Sequence, residues 1–197
     1  QINIVDYSED LKEKILFDII NKRLEEISKS NDSPFINAYV FHANTYVESK
    51  EMTMIRVVTE ANKLNYGISG VMHEIARIKK FGITSAELKR AIARKSVNME
   101  VSYNDRENME SRKLARELVS HFLINEPIPG IEWEFNKSVD IYKDFNASLI
   151  NKVLPIYFPQ TSMVIQVTIP KKEGVSIPLE NELLLSTLDI NYDEITN

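Results

Sequence analysis

The apolar side chains Leu11, Ile15, Leu16, Ile19, Ile20, Leu24 and Ile27 recur at three- and four-residue steps. That spacing predicts a helix over residues 8–30 with one apolar stripe. Ser8 stands at the expected N-cap, and Glu9 and Asp10 suit the positive end of the helix dipole. The turn formers Ser30, Asn31, Asp32, Ser33 and Pro34 close it. From Phe35 the period falls to two. Phe35, Asn37, Tyr39, Phe41, Ala43 and Thr45 alternate with Ile36, Ala38, Val40, His42 and Asn44, and the aromatic and β-branched content predicts a strand. Lys50 and Glu51 mark a turn. Met52, Met54, Arg56 and Val58 then alternate with Thr53, Ile55, Val57 and Thr59 in a second strand. The short link makes the two an antiparallel hairpin. A hairpin covered on one face buries one set from each strand and leaves the other set accessible.

Helical spacing returns over residues 62–80 through Leu64, Ile68, Val71, Met72, Ile75 and Ile78, and Gly82 is the expected terminating glycine. Thr84, Ser85, Ala86 and Glu87 form a capping box that opens the next helix. The pattern beyond it outruns one ordinary helix, so a break is predicted at Asn104 and Asp105, followed by a helix carrying Leu114, Ala115, Leu118, Val119 and Phe122. Glu126, Pro127, Ile128, Pro129 and Gly130 form a rigid turn, because proline fixes its own backbone and excludes helix before it. Short helices are predicted over residues 131–145 and 148–157, a strand over 162–169, and a linker from 171 with a helix near 181–188. Helix, hairpin, several helices and strand make an α+β chain: an antiparallel sheet with helices on one face.

Composition narrows the function classes. The 197 residues are 43% hydrophobic and carry a net charge of −5, which suits a folded domain rather than a disordered one. No Lys/Arg-rich block stands out, so no nucleic-acid partner is expected. No apolar run reaches the roughly 18 residues of a membrane span. The absence of cysteine excludes thiolate metal sites, a cysteine nucleophile and disulfides. The chain opens on glutamine, read as a piece of a longer polypeptide whose targeting signal would lie upstream.

Candidate chemistry is sparse. His73 and Glu74 start like the zinc motif H-E-x-x-H, but Arg77 stands where the second histidine belongs, and the inverted H-x-x-E-H is absent. His42 in a strand reads as packed or surface. His121, near a helix C-terminus, is placed to bond free carbonyls. The pairs Glu25/Glu26, Glu107/Glu110 and Glu132/Glu134 lie on polar helix faces, where solvated charge is the ordinary state. Arg106, Arg112, Lys113 and Arg116 interleave with Asp105, Glu107, Glu110 and Glu117 and read as helix-surface ion pairs. Tyr103, Trp133 and Tyr142 are either a binding platform or core and contact residues. No catalytic, cofactor-binding or metal-ligating residue is assigned.

The run Gly82, Ile83, Thr84, Ser85, Ala86, Glu87, Leu88, Lys89, Arg90, Ala91 resembles a recurring segment of the pitrilysin/insulinase-like zinc metallopeptidases, approximately G-I/V/F-T-x-x-E-L/F-x-R-A. His121-Phe122-Leu123 followed by Glu126-Pro127-Ile128-Pro129-Gly130-Ile131-Glu132 resembles a bacterial, multi-domain branch of that family. The resemblance covers roughly the first 170 residues. It implies homologous α+β domains closing as a clamshell around peptides, with zinc held by H-x-x-E-H and a downstream glutamate in a separate domain. This chain would be a non-catalytic domain, most like the second of four, over residues 1–170 and lacking its first strands; residues 171–197 would link onward. Its partners would be the homologous catalytic domain of the same polypeptide and a peptide substrate, with zinc in that domain and none here. A periplasmic or secreted setting is implied as well. Partner domains of the family that bind substrate carry an arginine followed seven residues later by tyrosine. Arg23 matches but Ser30 does not, so neither is assigned a role. The expected function is to enclose and position peptide for hydrolysis elsewhere; the alternative is a peptidase-derived structural or interaction module with no role in proteolysis.

Overall fold

The computed structural model describes residues 3–44, 51–159, 163–170 and 178–196. The element order is α1 (Ile4–Ser28), β1 (Asn37–Asn44), β2 (Glu51–Val58), α2 (Leu64–Phe81), α3 (Ser85–Asn104), a 3-10 turn (Arg106–Asn108), α4 (Ser111–Ile124), α5 (Ile131–Lys143), α6 (Ala147–Tyr157) and α7 (Glu180–Leu188). The expected α+β class holds: a two-stranded antiparallel hairpin among helices. The turn at Lys50 lies outside the described residues.

α1 starts a turn earlier than expected. Asn3, not Ser8, caps it: its Oδ1 accepts from the Val5 N–H at 3.0 Å. Asparagine caps as well as serine, and the extra turn is held where the Tyr7 ring meets the edge of Trp133, 5.0 Å between centroids. The stripe is as expected, with Leu11, Ile15, Leu16, Ile19, Ile20 and Leu24 fully buried. The Thr84 capping box forms in both directions, and α3 ends at Asn104. Gly82 ends α2 with φ 74°, a conformation glycine adopts without strain. Gly130 precedes α5 with φ 82°. Ile128, in the corner before it, is exposed, and Ile131, the first residue of α5, is half-buried.

The expected strand over 162–169 does not form. Residues 163–170 pair with no strand among the described residues. Ile165, Val167 and Ile169 are still more covered than Val164, Gln166 and Thr168, so the period of two survives without the ladder that defines a strand.

The chain divides into two compact units. One holds the described residues of Gln1–Leu16, His42–Met52 and Thr84–Val153. In it α3 packs on α5, and the rings of Tyr103 and Phe135 stack at 4.8 Å. Leu88, Ala91, Tyr142, Ile150 and Val153 are buried. The other holds Phe17–Phe41, Thr53–Ile83 and the described residues of Leu154–Asn197. Here α7 packs on α2, the Ser69 hydroxyl donates to the Ser186 carbonyl at 3.1 Å, and Lys80 donates to the Tyr192 and Ile195 carbonyls. Gly70 lets α2 approach the preceding loop: a Cβ there would lie 2.4 Å from Pro34 Cγ.

Candidate functional site

The hairpin sorts its side chains as the alternation requires. Ala38 and Val40 of β1 are buried, and Thr53, Ile55 and Val57 of β2 are partly covered. Met52, Met54, Arg56 and Val58 are exposed on the opposite face of β2. Ile36 departs from its expected set; it precedes β1, is exposed, and bonds through its N–H to the Val58 carbonyl at 2.8 Å.

Asn21 of α1 closes the open edge of β1. Its side-chain amide donates to the Val40 carbonyl at 2.9 Å and accepts from the Val40 N–H at 2.7 Å. Both backbone groups of a strand residue point to one side in an antiparallel ladder, so at Val40 that side belongs to α1 and not to β2. Val40 is only 1% exposed, and without Asn21 two buried polar groups would go unpaired. Sequence reasoning passed over this residue. The available signal was a polar side chain next to the buried stripe of α1.

The outward face is aromatic and thioether in character. The Tyr39 and Phe41 rings stack at 5.6 Å with 26° between planes, and Arg56 Nη1 donates to the Tyr39 hydroxyl at 3.3 Å. Met54 and Val58 lie exposed on β2. Such a surface can hold apolar side chains of an extended ligand by ring and sulfur contacts, and Arg56 adds one cation able to pair with a carboxylate or carbonyl. Among the described residues it presents no nucleophile and no general base.

The His73–Glu74 pair does not build a metal site. Glu74 is 4% exposed and its two oxygens are taken by arginines: Arg23 Nη1 at 3.3 Å and Arg77 Nη2 at 2.8 Å. Arg23 also donates to the Gly82 carbonyl at 3.1 Å. Arg77, in the place of the second histidine, therefore locks the carboxylate that a zinc-dependent reaction would need free. His73 is exposed on α2, His42 faces Glu13 at 3.3 Å, and the His121 Nδ1–H donates to the Glu126 carbonyl at 2.8 Å. Among the described residues no group of three or more His, Cys, Asp or Glu gathers as metal ligands.

The aromatic candidates separate. Trp133 and Tyr142 serve packing, the latter buried against the Phe145 edge, while Arg106 lies 4.5 Å from the Tyr103 ring centroid. Of the expected ion pairs only Arg106–Glu107, at 3.8 Å, forms among the described residues. On α4 the residue four after Arg112 is Arg116, and Lys113 precedes Glu117 in the weaker order, so helix spacing does not favour the rest.

No family model matches the chain. A zinc protease PQQL-like protein of Arabidopsis thaliana is 25% identical over 149 residues, which is 76% of this chain and 13% of that protein. The crystal structure of the periplasmic protease PqqL from Escherichia coli superposes with a TM-score of 0.71 at 17% identity, over 78% of this chain and 17% of that one. A "predicted insulinase family protease" from Yersinia pestis gives a TM-score of 0.66 at 11% identity, over 77% of this chain and 33% of that one. The α+β fold of this chain is thus the one found in part of those two proteases. The chain is similar to these proteases over about three quarters of its length and spans a small part of the relatives it matches. Among the described residues no helix is long and apolar enough to cross a membrane.

Proposed function

We propose that this chain is a non-catalytic domain of a bacterial, periplasmic zinc metalloendopeptidase. Residues 1–170 supply a wall of the substrate chamber and residues 171–197 connect onward. Peptide is enclosed and positioned here and hydrolysed at a zinc centre in a separate domain of the same polypeptide. The observation that carries this reading is the hairpin: one face with Ala38 and Val40 buried, the other presenting Tyr39, Phe41, Met54 and Arg56 outward with no catalytic group among them. The zinc protease names of the relatives and the periplasmic setting of PqqL support the enzymatic context.

The test uses the full-length polypeptide and a fluorogenic peptide. Tyr39→Ala combined with Phe41→Ala is expected to raise KM roughly tenfold, equivalent to about 1.4 kcal/mol of lost binding, with kcat near wild type. Unchanged KM in a folded variant would remove the substrate-positioning role. A full-length protein that cleaves nothing would instead favour an interaction module.

A further inference from the structure

Helix α4 is amphipathic, yet its apolar side is the exposed one. Leu114, Leu118 and Phe122 recur every four residues, and Ala115, Val119 and Leu123 lie beside them at the helical turn of about 100° per residue. Phe122 is 85% exposed and Leu118 63%. The described side chains of α4 that are partly covered are polar: Glu117 and Ser120. A helix that folds for its own unit turns its apolar stripe inward, so this orientation marks a stripe that meets something outside the chain. Arg112 and Arg116 flank Val119 and Leu123 on one border of the stripe, and neither has an ion pair among the described residues.

We infer that the α4 stripe is the docking face for another part of the same polypeptide, an apolar surface edged by carboxylates. The inference rests on the reading that this chain is one domain of a longer peptidase. The lengths support that occupant: the matched region makes up 17% of the PqqL chain and 13% of the plant relative, so most of such a polypeptide lies outside these residues. A lipid surface is the weaker fit. α4 carries three cations, Arg112, Lys113 and Arg116, against Glu117, fewer than the roughly four to eight that anionic membranes recruit.

Maleimide labelling of the full-length polypeptide, read by mass spectrometry of the α4 peptide, tests this. The 197 residues contain no cysteine, so Leu118→Cys, Phe122→Cys and the exposed control Glu107→Cys can be compared directly. Labelling at 118 and 122 is expected to be at least about tenfold slower than at 107, independent of protein concentration and without lipid, and Arg112→Glu with Arg116→Glu should speed labelling at 118 several-fold. Equal rates at all three positions overturn the proposal. Protection lost on dilution assigns the face to a second copy, and protection appearing only with phosphatidylglycerol vesicles assigns it to lipid; either result overturns it too. No effect of the arginine changes removes the acidic edge. Carbene footprinting of the unsubstituted protein reads the same side chains should a variant fail to fold. An inert polypeptide with a protected α4 would refute the chamber role while leaving this interface standing.

Discussion

At the scale of single residues, three positions hold conformations or charges that their neighbours impose. Gly130 has φ 82°, and an added Cβ would meet nothing within 4 Å, so substitution there is a test of backbone strain without a clash. Gly130→Val should lower stability by about 1–3 kcal/mol; an unchanged melting temperature would place that residue's strain elsewhere. Glu74 is buried between Arg23 and Arg77, and breaking a buried pair leaves an uncompensated charge. Arg23→Leu should cost about 3 kcal/mol in chemical denaturation, with Arg77 limiting the loss. Asn21→Leu strands both backbone groups of Val40 and should cost about 2–4 kcal/mol, whereas Asn21→Asp retains the acceptor and should cost less.

At the scale of elements, α1 and α5 meet at a proton-sensitive contact. The Tyr7 hydroxyl donates to the Glu134 carbonyl at 3.4 Å, and burial, then the nearby Glu134 carboxylate, pushes its phenol well above the usual range. Burial also raises the Glu134 carboxyl above its ordinary value of 4.5; Lys14 opposes this and Glu117 adds to it. The folded state therefore holds the Glu134 proton more tightly than the unfolded chain does. The resulting stability is fully present below the unfolded value and is lost as pH rises through the folded one. Glu134→Gln should flatten the fall in melting temperature between the ordinary carboxylate range and neutrality, and at neutral pH should not destabilise. A steeper fall in that variant would contradict the burial of this group.

At the scale of the whole molecule, the C-terminal segment belongs to the packing of α2, since Lys80 bonds two of its carbonyls and Thr187 and Ile195 are buried. Lys80→Met should hasten limited proteolysis after Leu188 severalfold while leaving the α1 stripe intact. The sequence by itself determined the helices, the hairpin and its two faces, because periodicity and caps such as Thr84 with Glu87 are local physics. It also recorded that His73 has no second histidine four residues on, since Arg77 stands there. Only tertiary structure decided which hairpin face is covered and what closes the edge of β1, where Asn21 reaches Val40 across nineteen positions of chain. It likewise decided that Arg23 and Arg77 hold Glu74, and that residues 163–170 pair with no strand among the described residues despite their alternation. Pairing and burial depend on groups distant in sequence, and a pattern of apolar positions records that a face must be covered but not by what.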